Sequence, residues 1–334
     1  MKRIASVIFF TAALLFAFSC KYQPRKITGP GTMIVLKGPD GSDVAQLKNF
    51  IPVLTKRLIS CGIGQDHFFI NDTNGEIDVR FDNTVKLSDT DERYRIMKLF
   101  TTSGQLRFHE TYTLSELWKN LLNADSIVRS WHANGNRQYP DMPYSLVDLL
   151  HPPAPGAYSG TSYDPEHSPV IGFCTVNDTS AVSFVLGMKE VRGQFPENVR
   201  FHWTYSHLPE NQRLFGLVAI RLKDGDENYF DPGPMKDVVI DENRNGGNRV
   251  LNMTFDDVAA ASWANMTRSN IGRCVTIEID NRVLMYPVVQ AEIPGGASSI
   301  SGNFTNAELD FFRGILRSGG LPWPLHVTEE KMVQ

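Results

Sequence analysis

Residues 270–330 read NIGRCVTIEIDNRVLMYPVVQAEIPGGASSISGNFTNAELDFFRGILRSGGLPWPLHVTEE. Val275, Ile277 and Ile279 alternate with polar neighbours, Asp280 and Asn281 supply a tight turn, and Val283, Met285 and Pro287 continue beyond it. That is the pattern of a β-hairpin. Gly295 and Gly296 make a loop, and a short run over 298–302 leads to Thr305-Asn306-Ala307-Glu308, a Ser/Thr-x-x-Glu box. Its hydroxyl and carboxylate satisfy the free amides that open a helix. The helix predicted from this start runs to about Ser318, with Leu309, Phe312 and Leu316 inward and Phe311 beside them. Gly319 and Gly320 supply a left-handed stop, and Leu321 to Glu330 leaves as a last strand.

The Asp280 turn, Pro287, Gly295-Gly296, Ile300, Gly302-Asn303-Phe304-Thr305, Glu308, Leu316 and the exit Gly320-Leu321-Pro322-x-Pro324-Leu325 follow one another over some sixty residues. In this order and spacing they resemble the head of the first periplasmic domain of the SecD/SecDF family, an accessory of the bacterial Sec protein-export machinery. The turn and hinge positions by this reading are Asn281, Gly295, Gly296, Gly302, Gly320 and Pro322. Tyr286 and Phe304, at hairpin and loop ends, are either core residues or contacts for an extended peptide.

Upstream, Thr32 to Leu36 reads as a strand ended by Gly38-Pro39-Asp40-Gly41, and a helix with Leu47, Leu54 and Leu58 inward follows. Pro52 requires that helix to kink or to start its regular part near Ile51. Strands at Phe68–Ile70 and Glu76–Phe81 flank the turn Asp72-Thr73-Asn74-Gly75, a second helix starts near Ser88, and Gln105 to Glu110 makes another strand. This strand, helix, hairpin, helix, strand order is the ferredoxin-like alternation. Lys56-Arg57-Leu58, Gly62-Ile63, Ile77-Asp78-Val79-Arg80-Phe81 and Gly104-Gln105-Leu106-Arg107-Phe108 resemble the base half of the same family domain. The fold class expected is α+β: two ferredoxin-like (βαββαβ) subdomains, a base and an inserted head, joined by a long irregular connection.

The divisions expected are a signal peptide over 1–19, a tether over 20–31 and the base over 32–112. A connecting helix, long loop and strand-helix extension occupy 113–198, the head 199–321, and a return strand to the base 322–334. Five prolines, Pro140, Pro143, Pro152, Pro153 and Pro155, mark the connection from His132 to Ser168 as exposed, and Trp131, Tyr139, Tyr144, Tyr158 and Tyr163 in or beside it either form an adhesive surface or pin the loop. If the family architecture holds, the head moves on its hinge strands.

A chain of 334 residues, 42% hydrophobic and with net charge −4, has enough apolar content for two or three packed units and no basic stripe for nucleic acid. Lys2 and Arg3 precede an apolar run from Ile4 to Phe18, the start of a secretory signal, too short for the roughly 20 residues of a spanning helix. Cys20 then meets either cleavage after Ala17-x-Ser19 or lipidation in a loose lipobox. Lipidation is the reading adopted, and acyl chains would hold the protein on a membrane facing the periplasm. Of Cys61, Cys174 and Cys274, at least one is expected to be a buried apolar side chain.

Asp241-x-Asn243-x-Asn245-Gly246 matches half a calcium loop, but Asn252 stands where the bidentate Glu is needed, so a polar hairpin turn is expected. Asp224-x-Asp226-x-Asn228 fails sooner, at Tyr229. His109, His202, His207 and His326 sit in no motif with a nucleophile, and Gly-x-Ser-x-Gly is absent. No catalytic residue, metal or cofactor is expected. The resemblance implies a module that binds unfolded or emerging polypeptide, or docks on the Sec translocase, without the membrane-embedded charges that would make it a pump. The alternative is the same fold re-used as an interaction module in another envelope complex.

Overall fold

The computed structural model describes residues 27–132, 143–152, 167–205, 214–222, 229–242, 249–302 and 304–334. The signal peptide, Cys20, Tyr139, Tyr158, Tyr163, His207, Asn303 and the turns 224–228 and 243–246 lie outside the described residues. The architecture is mixed α/β with three sheets.

The chain opens with β1 (Gly31–Lys37), α1 (Phe50–Ser60), the hairpin β2 (Phe68–Thr73) and β3 (Glu76–Asp82), and α2 (Thr90–Thr101). Pro52 falls in the first turn of α1, where its missing N–H costs nothing. Asp89 caps α2 by accepting from the amides of Asp91 and Glu92. After β4 (Leu106–Thr111) come α3 (Leu114–Ser130), α4 (Leu146–Leu150), β5 (Val170–Thr175), α5 (Thr179–Gly187) and α6 (Lys189–Arg192). Then follow β6 (Val199–Thr204), β7 (Leu214–Arg221), β8 (Asp237–Glu242), β9 (Arg249–Thr254) and α7 (Asp257–Ser269). The C-terminal stretch supplies β10 (Val275–Ile279), β11 (Arg282–Met285), β12 (Ala297–Ile300), α8 (Asn306–Ser318) and β13 (His326–Val333).

One sheet has the order β13-β1-β3-β2, so the last strand pairs antiparallel with the first, Gly31 opposite Val333. A three-stranded sheet runs β12-β9-β8. The remaining strands run β4-β10-β11-β6-β7-β5, with a further pairing of β4 to β7. That extra pairing closes β4, β10, β11, β6 and β7 into a ring, with β5 on its outside edge.

The ferredoxin-like order differs here from the expectation. β4 leaves the base sheet for the ring, and the strands expected in the head divide between the ring and the three-stranded sheet. The cause is burial on both faces: β10 is buried at every position, and β4 hides Leu106 and Phe108 on one side and His109 and Thr111 on the other. A strand buried on both faces needs cover on both sides, which an edge place in the base sheet does not give.

The outer faces of the ring feed two cores. Phe108, Val275 and Ile277 join the larger core with α1, α2, α7 and α8, and Val199, Leu217 and Ala219 join the core under α3 to α6. Cys61, Cys174 and Cys274 are separate free thiols, all buried. Burial pushes Cys61 and Cys274 up to about 11 and Cys174 up to about 12, which keeps all three protonated near neutrality.

Candidate functional site

Helix α8 is positioned by its own capping box. Thr305 Oγ1 accepts from the Glu308 amide at 3.2 Å, and the Glu308 carboxylate accepts from the Thr305 amide at 2.9 Å. Its inner face, Leu309, Phe312 and Ile315, packs on α1, where Gly314 leaves no room for a side chain: a Cβ there would lie 2.8 Å from Cys61 Sγ. The N-terminal turn of α8 faces α2 across a gap.

Between them lies an open cleft of about 1080 Å³. Its walls are the turn 62–64, the approach to α2, one face of α2 through Tyr94, Arg95 and Lys98, the start of α8 through Thr305, Glu308 and Phe311, and Tyr205 beyond β6. Tyr94 is 61% exposed. The Lys98 ammonium sits among three rings, 5.0 Å from Tyr94, 5.2 Å from Tyr205 and 5.8 Å from Phe311, and donates to Tyr205 Oη at 3.1 Å. Such cation–aromatic contacts contribute about 0.5–1 kcal/mol each at exposed sites.

Much of the charge around the cleft is satisfied within it. Glu92 pairs with Arg95 at 2.7 Å, Asp310 with Arg313 at 3.0 Å, and His67 with Asp82 at 2.9 Å. Lys86, Asp89 and Asp91 also line the cleft, so its rim carries charges of both signs beside an aromatic surface, a lining suited to an extended chain of mixed composition.

Beneath the cleft, α1 and the hairpin β10–β11 are locked to one loop. Arg57, fully buried, donates through Nη1 to the carbonyls of Leu99 at 2.7 Å and Thr102 at 2.5 Å, and through Nη2 to Ser103 at 2.6 Å and Gly319 at 3.3 Å. Asp280 accepts from Ser103 Oγ at 2.6 Å and from the amides of Gly104 and Gln105 at 3.0 and 2.9 Å. Burial pulls Arg57 down to about 10, so it stays charged near neutrality.

Asn281 has φ +62 in the tight turn of the hairpin and accepts from Arg107 Nη1 at 3.2 Å. Gly296 has φ +66, and a Cβ on it would lie 2.7 Å from that of Ala260, whereas Gly295 faces open space. Gly302 has φ +146. At the end of α8 the positive φ belongs to Gly319, at +89, and Gly320 packs beside the Gly104 carbonyl. The Pro322 carbonyl accepts from Gln105 Nε2 at 3.4 Å.

Phe304 is half-buried with its ring 5.5 Å from Phe312, which in turn lies 5.1 Å from Tyr205, so it underlies the cleft wall. Tyr286 packs elsewhere, on the small cluster of Val170, Phe173, Val218 and Val283. Sequence reasoning did not mark Tyr94, Lys98 or Tyr205. Tyr94 and Lys98 stand four apart on a helix whose inner face is Ile96, Leu99 and Phe100, and that spacing was the available signal. Among the described residues no three His, Cys, Asp or Glu side chains are placed to hold a metal ion, and no helix is long and apolar enough to cross a membrane.

Fold and cleft together define a mixed α/β domain of several sheets with an open cleft between α2 and α8. Residues 233–323 match the family SecDF, P1 head subdomain, and the chain is similar over part of its length to SecD proteins. It is 29% identical to the protein translocase subunit SecD of Rhodothermus marinus over 167 residues, 49% of this chain and 26% of that protein. It is 31% identical to SecD of Sebaldella termitidis over 127 residues, 36% of this chain and 31% of that one. The match thus spans about a quarter to a third of these relatives' length. A solved structure titled "Structure and function of a membrane component SecDF that enhances protein export" aligns over 89% of this chain and 98% of its own, at 17% identity and TM-score 0.48.

Proposed function

We propose that this chain is a protein-export accessory of the cell envelope that holds a length of unfolded polypeptide in the cleft between α2 and α8. The observation that carries this reading is the match of 233–323 to the SecDF head, because that segment contributes Thr305, Glu308 and Phe311 to the cleft. Aromatic side chains with an apolar body and a polar tip suit a partner of varied sequence. Cys20 carries a lipid that keeps the cleft near the membrane, on its periplasmic side, where the partners are Sec translocase components or emerging polypeptides.

A photo-crosslinking residue at Tyr94 of the full chain in cells tests the assignment. Crosslinks to exported precursors or translocase components are expected, and their absence overturns it. A second reading, an interaction module in another envelope complex, is favoured by Trp118 and Leu122, exposed and four apart on α3, outside the segment that matches the head. Crosslinks confined to other envelope proteins would establish that reading instead.

A further inference from the structure

The ring of strands encloses polar side chains beside the valines Val218 and Val283. Register places Thr276 opposite His109, Glu278 opposite Val283, Val283 beside Thr204, and His202 opposite Val218, so these side chains share the inner face. Glu278 is fully buried there and His109 is 4% exposed. His202 Nδ1 donates to Glu278 Oε2 at 2.7 Å, and Thr276 Oγ1 donates to Oε1 at 3.0 Å. His109 Nε2 lies 3.8 Å from Glu278 Oε1, too far for a hydrogen bond, and neither of its ring nitrogens has a hydrogen-bond partner among the described residues.

The ring also has two weak places. β4 and β10 pair through five positions, as do β6 and β7, but β11 meets β6 only at Arg282–Trp203 and Val283–Thr204. β4 meets β7 only at Glu110–Arg221 and Thr111–Ile220. These two seams divide the ring into β4-β10-β11, packed on the larger core, and β6-β7 with β5, packed on the core of α3 to α6. Glu278 belongs to the first half and His202 to the second, so their hydrogen bond is a partly buried tie across the seam.

We propose that His109, Glu278 and His202 form a proton-operated catch between the two halves of the ring, closed while His109 is neutral and released when His109 takes a proton. A neutral His109 leaves the carboxylate of Glu278 to His202. Protonation from solvent turns both His109 nitrogens into donors, and the nearest acceptor is Glu278 Oε1. The carboxylate is drawn toward β4, the bond to His202 lengthens, and the two-residue seam between β11 and β6 loses its inner support.

The other groups around His109 do not supply a competing acceptor. Arg107 on the same strand and His202 on β6 oppose a charge there, while Tyr229 presents its ring at 5.8 Å and Arg107 stacks on that same ring. Thr276 is turned to Glu278, and Arg221 on β7 is turned outward to Glu116. Burial, which pushes His109 down to about 4, keeps the catch closed at neutral pH and places its release in mild acid.

Hydrogen exchange on the full chain reads the catch directly. The Tyr205 amide donates to the Val283 carbonyl at 2.8 Å across the seam, and the strands β1 and β3 of the base sheet serve as the reference. After correction for the intrinsic rate, opening at Tyr205 should rise by up to about tenfold per pH unit once His109 titrates, with the base sheet unchanged. His109→Gln should abolish that rise, and His202→Gln should raise opening at every pH. A Tyr205 amide indifferent to pH, a rise that persists in His109→Gln, or simultaneous opening of the base sheet would each overturn the proposal.

Discussion

Arg57 and Asp280 hold the same loop from opposite sides: the guanidinium takes the carbonyls of Thr102 and Ser103, and the carboxylate takes the amides of Gly104 and Gln105. Removing either side chain leaves its own partners on the loop, carbonyls for Arg57 and amides for Asp280, without their hydrogen bonds, and such orphaned groups are costly. Gly104 completes the arrangement, because a Cβ on it would come within 2.8 Å of Arg57 Nη2. The loop is thereby a rivet between α1, the end of α2, the end of α8 and the β10–β11 turn.

Replacing Arg57 by Met should therefore destabilise the fold by about 3–5 kcal/mol, since several buried carbonyls lose their donor at once. Asp280→Asn keeps the shape but sets an amide NH₂ against backbone donors, and should cost about 1–3 kcal/mol. Denaturant unfolding of the two single variants and the double variant should show a coupling of about 0.5–3 kcal/mol. Strict additivity would mean that the two residues do not act on the loop together.

Gly295 and Gly296 stand side by side, yet the structure separates their roles. Gly296→Ala should destabilise by about 1–2 kcal/mol, from positive φ and contact with Ala260. Gly295→Ala has open space and should stay within about 0.5 kcal/mol of the parent in thermal unfolding.

What the sequence made legible was local. The capping box of α8, the Asp280-Asn281 turn and the inner face of α8 depend on neighbours within one or two turns, and all three stand in the structure as their residues imply. The ring was not legible, because β10 alternates Val275, Ile277 and Ile279 with Thr276 and Glu278, the pattern of a strand with one wet face. Only closure against β4, β11, β6 and β7 buries the polar face, and closure is a property of distant pairings. Arg57 and Asp280 were visible as matched positions, but nothing in their surroundings along the chain shows that they meet one loop.

Stability should fall in mild acid through His109. Its folded value, pushed by burial to about 4, lies below the ordinary value near 6.5, so the unfolded chain binds a proton that the folded chain does not. The contribution is whole above about pH 6.5, declines as pH falls toward 4, and levels off below, amounting to about 3 kcal/mol. His109→Gln should flatten this part of the pH–stability curve in urea titrations between pH 4 and 7, and an unchanged slope would assign the acid sensitivity to other groups.

The cleft separates binding from stability at two tyrosines. Tyr94 projects from α2 with most of its surface exposed, while Tyr205 is half-buried and packs edge-on against Phe312 at 5.1 Å. Tyr94→Ala should leave unfolding within about 0.5 kcal/mol of the parent but weaken capture of a fluorescent, permanently unfolded polypeptide by about 5- to 30-fold, the loss of 1–2 kcal/mol expected of an aromatic anchor. Tyr205→Ala should lower both stability and affinity, because the same ring supports Lys98 and closes the core over α8. Equal affinity for the unfolded polypeptide in the parent and Tyr94→Ala, by anisotropy titration at physiological salt, would move the contact surface away from this cleft.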